Sequence, residues 1–376
     1  MLKSMFKLNK DRINFIDVGK FLAIILVVLI HVLQRTIKGF TSESSYISRI
    51  LLLLSVTPFF LFSGMFYRYK KEVNPLGFIY NILKRGFIYF VPFVWFILFR
   101  IWIYKQWPDF NVAMEELMEY PVSGLWVCWI LLWISIVVDI GLFISSIYPR
   151  FKTLFVSSML IIGITVLVIL RNTGVIVYDH SIGYDYFIIY TPVFLLGYLL
   201  GPYVLKLKNI YALISFMVIG LAGLIPLCIY NPDFITTKFL TNSEWPMHLA
   251  TLCATMFFIG LTYFVNKVPF SPLLSYLGQF TLEVYFLHLM LLKNWTIMEL
   301  GNGWIIFLVT VGLFILCFIN SYGVTFITMF VPFLHFILFG RHLSIYKFED
   351  RFFERIKNIC YSKGKKINNE NVYSHD

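Results

Sequence analysis

The stretch Arg12-Ile13-Asn14-Phe15-Ile16-Asp17-Val18-Gly19-Lys20-Phe21-Leu22-Ala23-Ile24-Ile25-Leu26-Val27-Val28-Leu29-Ile30-His31 decides the fold. It is long and apolar enough to cross a bilayer as a helix. It also carries Asp17 and Lys20 at its start and His31 near its far end. An ionisable group in lipid is costly unless a partner or a wet cavity receives it, so each is a functional candidate. Lys20 and His31 are eleven residues apart. At 100° per residue they fall on nearly one face, about 16 Å apart, with Asp17 within about 40° of it. That face belongs toward a bundle interior.

The rest of the chain agrees. Its 376 residues are 59% hydrophobic and only 14% charged, and the mean hydropathy is +0.79. A soluble protein could not hide so much apolar surface. The expected fold is an all-α integral membrane protein, a single bundle of about ten transmembrane helices. The spans read as 14–34, 48–68, 78–104, 124–147, 152–170, 185–201, 209–230, 246–266, 277–297 and 304–327. The first run lacks a small-residue cleavage motif and is expected to act as its own signal anchor.

Charge orients the bundle. With ten spans both termini share a side, and the loops on that side hold 22 of the 31 Lys and Arg residues. The positive-inside rule then makes both termini cytoplasmic. Asp109, Glu115, Glu116 and Glu119 fall in an opposite-side loop. Residues 1–340 are read as the membrane domain. Residues 328–340 are an apolar, proline-broken interfacial segment at its end, and residues 341–376 form a basic cytoplasmic tail. The formal charge of +11 fits cytoplasmic loops and anionic headgroups better than nucleic acid. Five cysteines without CxxC spacing suggest neither a disulfide framework nor zinc, and the spacing of His31, Asp17, Glu283 and His288 assembles no metal site.

Several residues carry chemistry. His31 reads either as a helix-end histidine satisfied at the interface or as a general base near neutral pH. Asp17 lies about 21 Å from it along the helix, so any direct partner of His31 comes from another element. Ser63-Gly64, in Thr57-Pro58-Phe59-Phe60-Leu61-Phe62-Ser63-Gly64, reads first as close helix packing. Arg68, Lys70 and Lys71 fit the topology rule. Lys84-Arg85 enters an apolar run, where a basic pair suits a phosphorylated ligand. In the ninth span, Tyr285 and His288 are helix neighbours, while Glu283 and His288 stand about 140° apart. A polar packing network and an acceptor-side lining both fit them. Asp139, Arg100 and Asn320 are weaker candidates. Trp126 and Trp129 suit interfacial anchoring.

Five segments together resemble the membrane-bound acyltransferase 3 family. They are Ile16-Asp17-Val18-Gly19-Lys20 through His31, Pro58 to Gly64, Leu125-Trp126, Tyr190 to Gly197, and Leu277-Gly278 through Tyr285-Phe286-Leu287-His288. They occur in the family's order over residues 12–340. The resemblance implies transfer of an acyl group, usually acetyl from acetyl-CoA as co-substrate, to a hydroxyl of an envelope polysaccharide or its lipid-linked precursor. It implies a multi-pass protein of the plasma (inner) membrane.

The family's essential histidine falls on His31, its basic residue ahead of the helix on Arg12, and its Ser-Gly on Ser63-Gly64. Many members carry Arg-x-x-Arg before the third-span proline. Here Arg85 fills the first position, Ile88 or Tyr89 the second, and Lys84 is the substitute at hand. The expected catalytic set is therefore His31, Asp17 and Ser63. Arg12, Lys20, Lys84 and Arg85 are expected to hold the donor, and Glu283, Tyr285, His288 and Trp126 to line the acceptor side. Expected partners are membrane lipid and a glycan or glycolipid acceptor, with no nucleic acid and no metal. A homo-oligomer is admitted but not required, and no appended hydrolase-like domain is expected. A succinyl or longer acyl group is the rival within the class. A multi-pass exporter of a glycan or small solute is the rival outside it, although such folds often repeat their halves and no repeat is visible.

Overall fold

The computed structural model describes residues 13–37, 40, 45–70, 75–104, 126–173, 184–207, 209–230, 245–292 and 303–341, and among these every regular element is helical. In chain order they are α1 (Asn14–Thr36), α2 (Tyr46–Arg68), α3 (Pro75–Tyr104), α4 (Trp126–Ser145), α5 (Lys152–Asn172), α6 (Tyr184–Lys206), α7 (Ile210–Tyr230), α8 (Trp245–Asn266), α9 (Ser271–Gly278), α10 (Thr281–Leu291), α11 (Gly303–Met329) and α12 (Pro332–Phe339). A 3-10 turn at Pro149–Phe151 leads into α5. Among the described residues, eight helices are long and apolar enough to cross a membrane: α1, α2, α4 to α8 and α11. The protein is an all-α integral membrane bundle.

The two other expected spans fall on α3 and on α9 with α10. The ninth was expected as one helix over 277–297. It begins earlier, at Ser271, and breaks at Gln279–Phe280. The break has a packing cause. Gly278 sits on the backbone of α1, where any Cβ would collide with the carbonyl oxygen of Asp17. The chain must approach α1 that closely and then turn. Side chains cap carbonyls at the break: Arg341 Nη1 donates to Gln279 O at 3.1 Å, and Tyr322 Oη to Leu277 O at 3.2 Å, which also accepts from Phe280 N.

Burial ranks the helices. The most apolar windows of α1 and α2 are 61% and 67% buried, against 11% for α5 and α11. So α1 and α2 form the core, and α5 and α11 turn their apolar residues outward to lipid. The tightest pairing joins α2 to α6. A Cβ on Gly64 would strike Phe194 O, and one on Gly197 would strike Leu61 O. Small residues let membrane helices approach this closely, where dispersion rather than water exclusion holds them. At the far end, buried Arg49 donates its Nε to Cys228 O at 2.8 Å, tying the start of α2 to the end of α7.

The segment after α11, read as apolar and proline-broken, forms the short helix α12. α12 packs into the bundle. Its Phe336 stacks on Phe87 of α3, and Ile337 O accepts from Trp95 Nε1 at 2.7 Å. Gly340 ends it at φ 61, in the left-handed region, with its Cα against Phe87 O. A side chain there would meet both the wrong backbone region and a carbonyl.

Candidate active site

His31 and His288 meet inside the bundle. His31 lies a turn and a half before the end of α1, half-buried, while His288 on α10 is fully buried. His288 Nε2 is 3.2 Å from His31 Nδ1, with ring centroids 5.1 Å apart. Each ring also reaches back one helical turn. His31 Nδ1 is 2.9 Å from Val27 O, and His288 Nδ1 is 3.0 Å from Val284 O. The partner that His31 required from another element is thus a second imidazole, 257 residues away in sequence.

Aromatic groups wall this pair. The Tyr285 ring lies 5.7 Å from His288 and 6.3 Å from Phe59 of α2. Cys317 of α11 directs its thiol toward His288 O at 3.6 Å. Trp126, at the start of α4, stacks on Tyr186 at 4.3 Å and leans on Tyr190 at 5.4 Å. Tyr190 in turn stacks on Phe60 at 4.6 Å. Trp126 therefore joins an aromatic stack between α2, α4 and α6 that runs from exposed Tyr186 to buried Tyr190 and Phe60.

Ser63 lies one turn beyond Phe59 and one turn before Phe66 and Tyr67 on α2. Phe59 faces Tyr285, and Phe66 receives Lys20 Nζ at 5.5 Å from its ring centroid. Ser63 thus shares the α2 face that runs from the histidine pair toward Lys20. Asp17 is buried in the first turn of α1, about 21 Å of helical rise from His31. The two stand toward opposite ends of α1.

The Asp17 end of the bundle is basic. Arg85 on α3 is buried, as is Asp139 on α4. They pair at two points: Arg85 Nη2 to Asp139 Oδ1 at 3.0 Å and Nη1 to Oδ2 at 2.9 Å. Arg85 Nη1 also donates to Ser135 O at 2.7 Å, and the guanidinium lies over Tyr67 at 4.6 Å. Lys70 follows α2 and sits over the same Tyr67 ring at 4.2 Å. Burial, and then the Arg85 charge, bring its ammonium down to about 7; Asp139 pulls the other way and Lys84 adds to the fall. Lys84 is exposed, over Tyr80. Arg68 donates to Thr153 Oγ1, and Lys152 to Lys70 O. Arg12 lies outside the described residues.

Glu283 faces a different way from His288, as their angular separation on the helix requires. It is fully buried, 3.0 Å from Arg341 Nη1 and 3.5 Å from His335 Nε2. His335 Nδ1 is 2.9 Å from Thr328 Oγ1. This network fastens α12 to α10. The sequence offers Asp139 without its partner Arg85, and gives Glu283 no partner; His335 and Arg341 fill that place. A buried Glu283 demands a cation or donor, and that demand was the signal. Asn320 is exposed on α11. Among the described residues no three His, Cys, Asp or Glu side chains gather as a metal cluster.

The chain is thus a helical membrane bundle with a half-buried and a fully buried histidine in contact inside it, and a basic end. The model of the acyltransferase 3 family, described as an acyltransferase domain, matches residues 13–357, and the chain belongs to that family. It is an acyltransferase, a multi-pass membrane enzyme, which sets the exporter reading aside. No curated protein and no solved structure matches it.

Proposed function

We propose that this enzyme moves an acetyl group from cytosolic acetyl-CoA to a hydroxyl of an envelope polysaccharide or its lipid-linked precursor, with both termini on the cytoplasmic side of the plasma membrane. The observation that carries the reading is the His31–His288 contact, a base with a partner, in an acyltransferase bundle whose opposite end is basic.

The chemistry balances as follows. His31 Nε2 takes the proton of the acceptor hydroxyl as its oxygen attacks the thioester carbonyl. The tetrahedral oxyanion collapses, the C–S bond breaks, and the thiolate of CoA takes the proton from the imidazolium. Ser63 is the side chain proposed to donate to the oxyanion. Tyr285 and Trp126 line the acceptor side, and Glu283 braces α10 behind it. The donor's phosphates belong at the basic end, with Lys84, Lys20 and Arg12. Arg85, held by Asp139, adds fixed positive charge there. Lys70 joins this set: a cation crowded by other cations in a half-buried place gains most from an arriving phosphate. Asp17 closes the lower end of α1 against Gly278.

The test is His31→Ala in membranes given radiolabelled acetyl-CoA and the cell's own surface glycan. Label transfer at the wild-type rate would remove His31 from the reaction. Mass analysis of the modified glycan separates acetyl from succinyl or longer acyl groups.

A further inference from the structure

We infer that His288 is a positioning residue that acts through its Nε2 as a hydrogen-bond acceptor for His31, holding His31 in the one tautomer that leaves Nε2 free as the base. This rests on His31 being the general base.

The argument follows from which atoms can donate. A carbonyl oxygen only accepts. His288 Nδ1 lies 3.0 Å from Val284 O, so Nδ1 bears the hydrogen. In the neutral ring Nε2 is then a bare acceptor. That acceptor faces His31 Nδ1 at 3.2 Å, and Val27 O faces the same nitrogen at 2.9 Å. Two acceptors converge on His31 Nδ1, so the hydrogen of the neutral ring resides there. The lone pair of His31 is left on Nε2.

Val27 O alone would bias the tautomer, but it sits on His31's own helix and moves with it. His288 comes from α10 and fixes the ring relative to the rest of the site. When His31 takes a proton, its Nδ1–H becomes a charge-assisted donor, and the bond to His288 strengthens at that moment. A base oriented by a third group is the arrangement that nucleophilic and general-base sites use repeatedly. Here the third group is neutral, which avoids placing a carboxylate in an apolar span. Glu283, the nearest acid along α10, is committed instead to Arg341 and His335.

Two amide substitutions isolate the acceptor. In His288→Gln the amide oxygen can occupy the place of Nε2. In His288→Asn it ends near Nδ1 and falls short of His31. Both keep a polar group of similar character in the pocket. The expected result is kcat within a few-fold of wild type for His288→Gln and about 10²-fold lower for His288→Asn, the lower end of what general-base catalysis supplies. KM for acetyl-CoA should be unchanged in both, and both should elute as the wild-type species from detergent gel filtration.

Equal activity of the two variants, whether both high or both low, would overturn the acceptor role. Loss of activity in His31→Ala with equal activity in the His288 pair would overturn the positioning role while the base survives. Full activity in His31→Ala would remove the base itself. A misfolded His288→Asn is replaced by the kcat pH profile of His288→Gln. Its acid limb is expected to coincide with wild type, and a displaced limb counts against the inference.

Discussion

Arg85 and Asp139 form a two-point ion pair, buried on both sides, between α3 and α4. Its geometry separates structure from donor binding. Asp139→Ala strands a guanidinium away from water, at an expected cost of about 3–5 kcal/mol. The double variant Arg85→Met with Asp139→Leu removes both charges and should recover most of that stability. Thermal unfolding in detergent reads the first effect. If Arg85 also contributes to the donor site, KM for acetyl-CoA stays high in the double variant although stability returns. Recovery of both would leave the pair a purely structural role.

Ser63 and Gly64 are adjacent but face different tasks. Gly64 lies on Phe194 O, so Gly64→Ala overfills the α2–α6 contact and is expected to cost about 1–3 kcal/mol. Ser63 stands on the face shared with Phe59 and Phe66. Ser63→Ala should scarcely change the melting temperature, yet lower kcat about 10²-fold if its hydroxyl meets the oxyanion. Unchanged kcat would take Ser63 out of the chemistry.

How much of this was readable from the chain depends on the range of each interaction. Hydropathy marks α1, α2, α4 to α8 and α11 because lipid solvates a whole helix and leaves a continuous apolar run. The break at Gln279 is not in that signal. It arises from the seating of Gly278 on Asp17 O, a contact across 261 residues. The polar line on α1 follows from helical spacing, as does the Tyr285–His288 neighbourhood. That His31 meets His288, Arg85 meets Asp139, and Glu283 meets Arg341 does not follow, since pairing between distant helices leaves no periodic trace. Each buried charge announced that it needed a partner, but the bundle chose which.

Glu283 holds the end of the described chain in place. Arg341 and His335 both reach its Oε1, and α12 rides on that anchor. Arg341→Ala leaves the carboxylate buried beside His335 alone, and a loss of about 3 kcal/mol is expected from breaking a buried pair on one side. The Trp95–Ile337 bond ties α12 to α3, so the loosening should appear as faster hydrogen exchange in both elements. Exchange unchanged over α3 and α12 would show that Arg341 is not the anchor.

Lys70 makes donor binding depend on pH. Its ammonium, lowered to about 7 by burial first and by Arg85 next, is charged below that value and neutral above it. A phosphate is attracted only to the charged form. KM for acetyl-CoA should therefore rise as pH climbs through about 7. Binding the phosphate favours the ammonium, so saturating donor should move the transition upward. Lys70→Met is expected to raise KM at pH 6 and to flatten its dependence between pH 6 and 8, leaving kcat in place because the histidine pair lies at the other end of α1. Steady-state kinetics at fixed ionic strength measures this directly. A KM profile in Lys70→Met as steep as that of wild type would assign the pH dependence to another group.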